Sequence, residues 1–116
     1  MGVGKFVLLA VAEAVADEVN VLLASSRPRL LYRGQLEECA GSISSNIREG
    51  LGRREGPERN QFYRYARGSA EETDDRLTRN FVAKRLKPTT YWRLHNRLVL
   101  IIKTINKLLG DDRPPS

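Results

Sequence analysis

The sequence predicts an all-α protein, an antiparallel up-down four-helix bundle, and three observations carry that prediction. Four stretches place apolar residues at helical spacing. The breaks between them are built from Pro and Gly, and no stretch alternates apolar and polar residues with period two. At 116 residues the chain closes one core and not two. Residues 1–110 read as that single domain, with 111–116 as a disordered C-terminal tail.

The first helix is expected over residues 5–23. Leu8, Val11, Ala12, Val15, Val19 and Leu22 share one face, with Glu13, Asp17 and Asn20 opposite. Lys5, a short apolar run and Ala14-Val15-Ala16 imitate a secretory leader. The run stops at Glu13 and the amphipathic pattern continues past the supposed cleavage point, so a helix is the better reading. A membrane span needs about 20 apolar residues and is excluded. Phe6 stands where a myristoylation motif requires Ser or Thr. Arg27-Pro28 marks the end of this helix, because proline disfavours helix in the residue before it.

The second helix, residues 30–51, is carried by Leu36, Ala40, Ile43 and Ile47, and its middle is small and polar from Ala40 to Asn46. Such side chains admit a close neighbour and offer hydroxyl and amide groups for bonds across the contact. A Gly-rich turn follows, with Pro57 placed as a first helical residue. The third helix, residues 57–86, has Phe62, Ala66, Ser69, Ala70, Thr73, Leu77 and Phe81 as its inner stripe. Lys87-Pro88 breaks it, and Thr89 or Thr90 is the expected cap of the fourth. That last helix, residues 91–109, puts Tyr91, Leu94, Leu98, Ile101, Ile102, Ile105, Leu108 and Leu109 on one arc of about 120°. Gly110 is a natural residue to end it.

Composition narrows the function. Hydrophobic residues are 41% and charged ones 29%, typical of a soluble globular chain and too apolar for a disordered one. One Cys (Cys39) and one His (His95) exclude a disulfide framework and a Cys/His zinc site within one chain. No acid–base pair or metal set reaches the standard of an active site, so the expectation is no enzyme, no metal and no cofactor. His95, with no acid near it in sequence, reads as a boundary residue, and Cys39 as a small buried hydrophobe. The net charge is +6, unevenly spread. Glu71, Glu72, Asp74 and Asp75 form an acidic knot, whereas Arg76 to Gly110 holds nine basic residues and no acid. Arg93, Arg97, Lys103 and Lys107 share the arc opposite the apolar face of the fourth helix, beside Tyr91 and Trp92. A one-signed stripe with adjacent aromatics suits phosphate contacts and base stacking, although a solvated helix face has the same look. Gly50-x-Gly52 with Arg53 and Arg54 offers a second anion site. Without a preceding strand or a Gly-Lys-Ser/Thr ending, that turn reads first as a helix end with solvated arginines.

Two linked motifs carry a family resemblance. The first runs Ala40-Gly41-Ser42-Ile43-Ser44-Ser45-Asn46-Ile47-Arg48-Glu49-Gly50-Leu51-Gly52-Arg53. The second runs Phe62-Tyr63-Arg64-Tyr65-Ala66-Arg67-Gly68-Ser69-Ala70-Glu71-Glu72. Together they resemble the four-helix-bundle proteins, some of whose members are encoded within intervening sequences of the large-subunit ribosomal RNA gene. The departures are Ser44 where the family usually has Pro, Arg48 where it has Ala, and Glu37-Glu38 where a basic pair is common. The resemblance implies a bundle assembling as a homopentameric ring, with no established activity. It gives Ser42, Asn46, Glu49, Gly50, Gly52, Gly68, Ser69 and Glu72 structural or interface roles, the polar ones joining helices two and three or meeting a neighbouring subunit. A similar fold in accessory proteins of diversity-generating retroelements binds a reverse transcriptase and nucleic acid. The expectation is therefore a cytoplasmic, non-membrane homo-oligomer that binds RNA or DNA, or a nucleic-acid enzyme such as a reverse transcriptase. Arg93, Arg97, Lys103 and Lys107 are its favoured contacts, and Arg53 and Arg54 follow. The alternative is a protein–protein adaptor ring that binds no nucleic acid.

Overall fold

In the computed structural model, which describes residues 3–110, the chain forms α1 (Val3–Ser25), α2 (Arg33–Leu51), α3 (Pro57–Val82) and α4 (Pro88–Leu109). The expected tail, 111–116, lies outside the described residues. Each helix packs against its neighbours in chain order and α4 closes back on α1. The expected antiparallel bundle is thus present, and there is no strand among the described residues. Both the α1–α2 and α3–α4 connections lie at one end, where Arg85 Nη1 donates to the Arg29 carbonyl at 2.8 Å. The α2–α3 turn lies at the other.

The core is one cluster. Leu8, Val15, Val19, Leu36, Ile43, Ile47, Leu77, Leu94, Leu98, Ile101 and Ile105 are all fully buried or nearly so. In α3 the buried stripe is Tyr63, Ala66, Ala70, Thr73, Leu77 and Asn80. It keeps Ala66, Ala70, Thr73 and Leu77 of the expected stripe but differs at its ends: Phe62 and Phe81 are half-buried, while the adjacent Tyr63 and Asn80 go inside. Asn80 is inside because the chain entering α2 needs a partner there. Its Oδ1 accepts the Leu31 amide at 2.7 Å, and its Nδ2 donates to the Leu31 carbonyl at 3.1 Å and to Arg76 O at 2.9 Å. A backbone segment leaving a helix is thus satisfied by one side chain from another.

Boundaries differ from expectation where caps act. Tyr32 takes a left-handed conformation (φ 58°), which delays α2 to Arg33. Lys87, extended and without a side-chain cap, precedes α4, so neither Thr89 nor Thr90 caps it. The third helix stops at Val82 rather than residue 86, through a paired closure in which Lys84 N–H donates to Phe81 O and Arg85 N–H to Asn80 O. Lys84 sits there at φ 60°, a place usually given to glycine. Gly110 ends α4 at φ 77°, as expected.

Candidate nucleic-acid interface

The α4 arc opposite the core carries the four favoured cations, but the structure divides them. Arg93 and Arg97 both reach Glu18 on α1: Arg93 Nε donates to Oε2 at 3.0 Å and Arg97 Nη1 to Oε1 at 2.9 Å. The Glu18 carboxylate pushes the Arg93 guanidinium above its ordinary range. The expected free basic stripe is therefore half neutralised, because α4 packs beside α1 and brings an acid 75 and 79 positions distant in sequence onto it. Lys103 and Lys107 are exposed and form no ion pair among the described residues. Leu100, 49% exposed, lies among them on the same arc.

The second predicted group sits at the far end. Arg53 pairs with Glu49 at 3.3 Å and Glu58 at 3.1 Å and lies over the Phe62 ring. Arg54 is exposed, with no ion pair among the described residues. Arg59, partly buried, donates to the carbonyls of Gly50, Leu51 and Arg53. It thus satisfies the end of α2 that the sequence leaves open. Leu108 lines a small cavity with Glu55 and Gly56, so Lys107 and Arg54 share one end of the bundle and Arg93 lies toward the other. The six cations do not form one patch.

The matched polar motif mostly bonds within its own helices. Asn46 Nδ2 donates to Ser42 O at 2.8 Å, Glu49 pairs with Arg53, and Glu72 with Arg76. Among the described residues no hydrogen bond joins α2 to α3 through these groups, since the Asn46 amide reaches the preceding turn of its own helix first, and a contact with a neighbouring subunit is left open by a single chain. Ser42, Ser69 and Glu72 instead line a polar cleft of about 130 Å³ beside Cys39. Burial pushes the Cys39 thiol up, which keeps it protonated. Gly50 is the motif residue that meets α3 closely: a Cβ there would lie 3.2 Å from Phe62 Cβ. Gly52 and Gly68 are exposed. His95, expected to lack an acid, pairs through Nδ1 with Asp74 at 2.7 Å and stacks on Tyr91. Three members of the acidic knot make α3–α4 or local pairs: Asp74 with His95, Asp75 with Arg76 and Arg79, and Glu72 with Arg76.

Sequence reading missed one group of charges. Arg27 and Arg29 in the first connection and Lys84, Arg85 and Lys87 in the last have no acidic partner among the described residues. The signal was two acid-free loops, legible as a cluster only once both are known to share an end.

Fold and charge together define a helical-bundle protein with a basic outer face. No helix among the described residues is long and apolar enough to cross a membrane. The family model described as 23S rRNA-intervening sequence protein matches residues 9–107, and the chain belongs to that family. Neither curated proteins nor solved structures give a match.

Proposed function

We propose that the chain is a non-enzymatic, cytoplasmic, self-assembling bundle whose basic fourth helix binds nucleic acid, RNA or DNA, or an enzyme that acts on it. The observation that carries this reading is the outer face of α4, where Lys103 and Lys107 stand exposed on a helix with no acidic residue. Self-assembly is supported by a separate feature. Val7 and Leu100, each about half exposed, flank an apolar groove between α1 and α4 of about 180 Å³, and grooves of this kind mark contacts between proteins. In the five-membered ring that the family resemblance implies, +6 per chain becomes about +30, and many weak phosphate contacts act together.

Mixed-sequence RNA should shift at low ionic strength and release steeply as salt rises; no shift at low salt overturns the reading. The adaptor alternative draws on one observation, that Arg93 and Arg97 are already engaged by Glu18. Lys103→Glu with Lys107→Glu is therefore the sharper variant, since it leaves that cluster intact. Loss of RNA binding supports the nucleic-acid reading. Unchanged recovery of a protein partner, without RNA binding by the parent, gives the adaptor.

A further inference from the structure

The two-loop end of the bundle holds a cavity of about 540 Å³ that the α4 reading leaves unused. Its apolar lining comes from half-buried Phe81 and buried Leu86, with Pro28 and Val82 at the open side, and its cations are Arg27, Lys84, Arg85 and Lys87. That volume falls in the range of small-molecule sites, about 300–1,000 Å³. The walls are tied together: Arg85 holds the Arg29 carbonyl and Asn80 holds Leu31 by both its amide and its carbonyl. Arg27 donates to the adjacent Ser26 carbonyl. The Lys84 and Lys87 side chains have neither a hydrogen bond nor an ion pair among the described residues.

The pairing of apolar lining and cations selects the ligand. A group of cations with no acid attracts phosphate, but a bare inorganic anion would leave the apolar lining unused. Phe81 stacks in parallel on Tyr91 at 4.3 Å, and Trp92, half exposed, lies edge-on 6.2 Å from Phe81. Flat rings beside cations suit an unpaired base with its phosphates. A duplex presents the charge but keeps its bases stacked inside and cannot fill a concave site. We propose that this cavity binds one unpaired nucleotide of a single-stranded nucleic acid, its phosphates on Lys84, Lys87 and Arg27, its base against Phe81 and Pro28, and the next base on Trp92. The proposal rests on the ligand class argued above but on none of the cations that the α4 reading uses.

Trp92 is the sole tryptophan and lies just outside the cavity lining against Phe81, so its fluorescence reports a base bound beside that ring. A mixed-sequence RNA of about ten nucleotides should quench it, and a blunt duplex of equal length should not. Lys84→Gln with Lys87→Gln should weaken the quenching titration about tenfold and lower its salt slope by about 1.4, the share of two single-strand phosphate contacts. Lys84→Gly separates folding from binding: it relieves the left-handed lysine, so Tm should rise by about 2–6 °C while RNA affinity falls. RNA binding that ignores Lys84 and Lys87 sinks this site and spares the α4 reading; no RNA binding by the parent sinks both. Equal quenching by the duplex, or by vesicles of phosphatidylserine with phosphatidylcholine, also overturns the single-strand site.

Discussion

Two seams of the same bundle are built on opposite terms. Along α2–α3 many buried positions are small: Ala40, Ser44 and Gly50 on one helix and Ala66, Ala70 and Thr73 on the other, with Gly50 close against Phe62 and Tyr63. Along α1–α4 the helices meet more sparsely, Val7 and Leu100 stay half exposed, and a groove remains between them. α1 is apolar on more than one side, with Phe6 and Val21 also open to solvent. The first seam spends its small residues on close backbone approach and therefore on stability. The second leaves apolar surface uncovered, so it is where the bundle can take a partner, and a second copy of the chain is the partner we propose.

The largest expected effect tests the tight seam with one residue type. At Gly50 an added Cβ already lies 3.2 Å from Phe62 Cβ and 3.4 Å from the Arg59 carbonyl, so Gly50→Val must push α3 away. Overpacking of this kind costs about 1–3 kcal/mol. Gly4, on the α1 side of the open groove, has nothing within 4 Å of the same added atom. Gly4→Val should therefore change the urea midpoint by far less. Equal losses from the two substitutions would remove the distinction between the seams.

The tight seam was largely legible in the sequence, and the reason is local. Leu36, Ala40, Ile43 and Ile47 on α2 and Ala66, Ala70, Thr73 and Leu77 on α3 recur at helical spacing and are all buried. Phe62 and Tyr63 fit the inner stripe of α3 almost equally well by spacing, so which of the two goes inside was not legible. Asn80 was hidden because an asparagine scores as surface until the Leu31 backbone that needs it is placed. The candidate interface was least legible. Glu18 with Arg93 and Arg97, and Asp74 with His95, depend on which helix faces meet, which spacing within one helix does not encode. The loop-end cations failed for the same reason: Arg27 and Lys84 are neighbours only through topology.

The open seam is tested by making it polar. Val7→Ser with Leu100→Ser alters residues that are already half exposed, so the stability of a single bundle should change by about 0.5 kcal/mol or less. Mass by light scattering should fall from the parent's assembled value toward one chain, since the apolar contact that holds copies together is lost. An assembled parent whose mass survives both substitutions would place the subunit contact elsewhere.

The smallest effect lies in the charges that edge the tight seam. Asp75 accepts from Arg79 Nε at 2.9 Å and contacts Arg76, whose own Nε donates to Gln35 on α2 at 2.7 Å. The hydrogen bond from Arg79, with Arg76 beside it, holds the Asp75 carboxyl below the usual carboxylate range. A carboxylate lowered on folding stabilises above its unfolded value, about 3.9, and that contribution is lost as pH falls through the folded one. Asp75→Asn should therefore be slightly less stable than the parent at pH 7, and the two should converge as the pH falls through the lowered folded-state value. Because the pair is open to solvent, salt should shrink the neutral-pH difference. Urea midpoints across that pH range and at two ionic strengths read all of this. A difference that stays constant across pH would mean that side-chain shape, not charge, is what Asp75 gives the α2–α3 edge, leaving that seam's stability to its small buried residues alone.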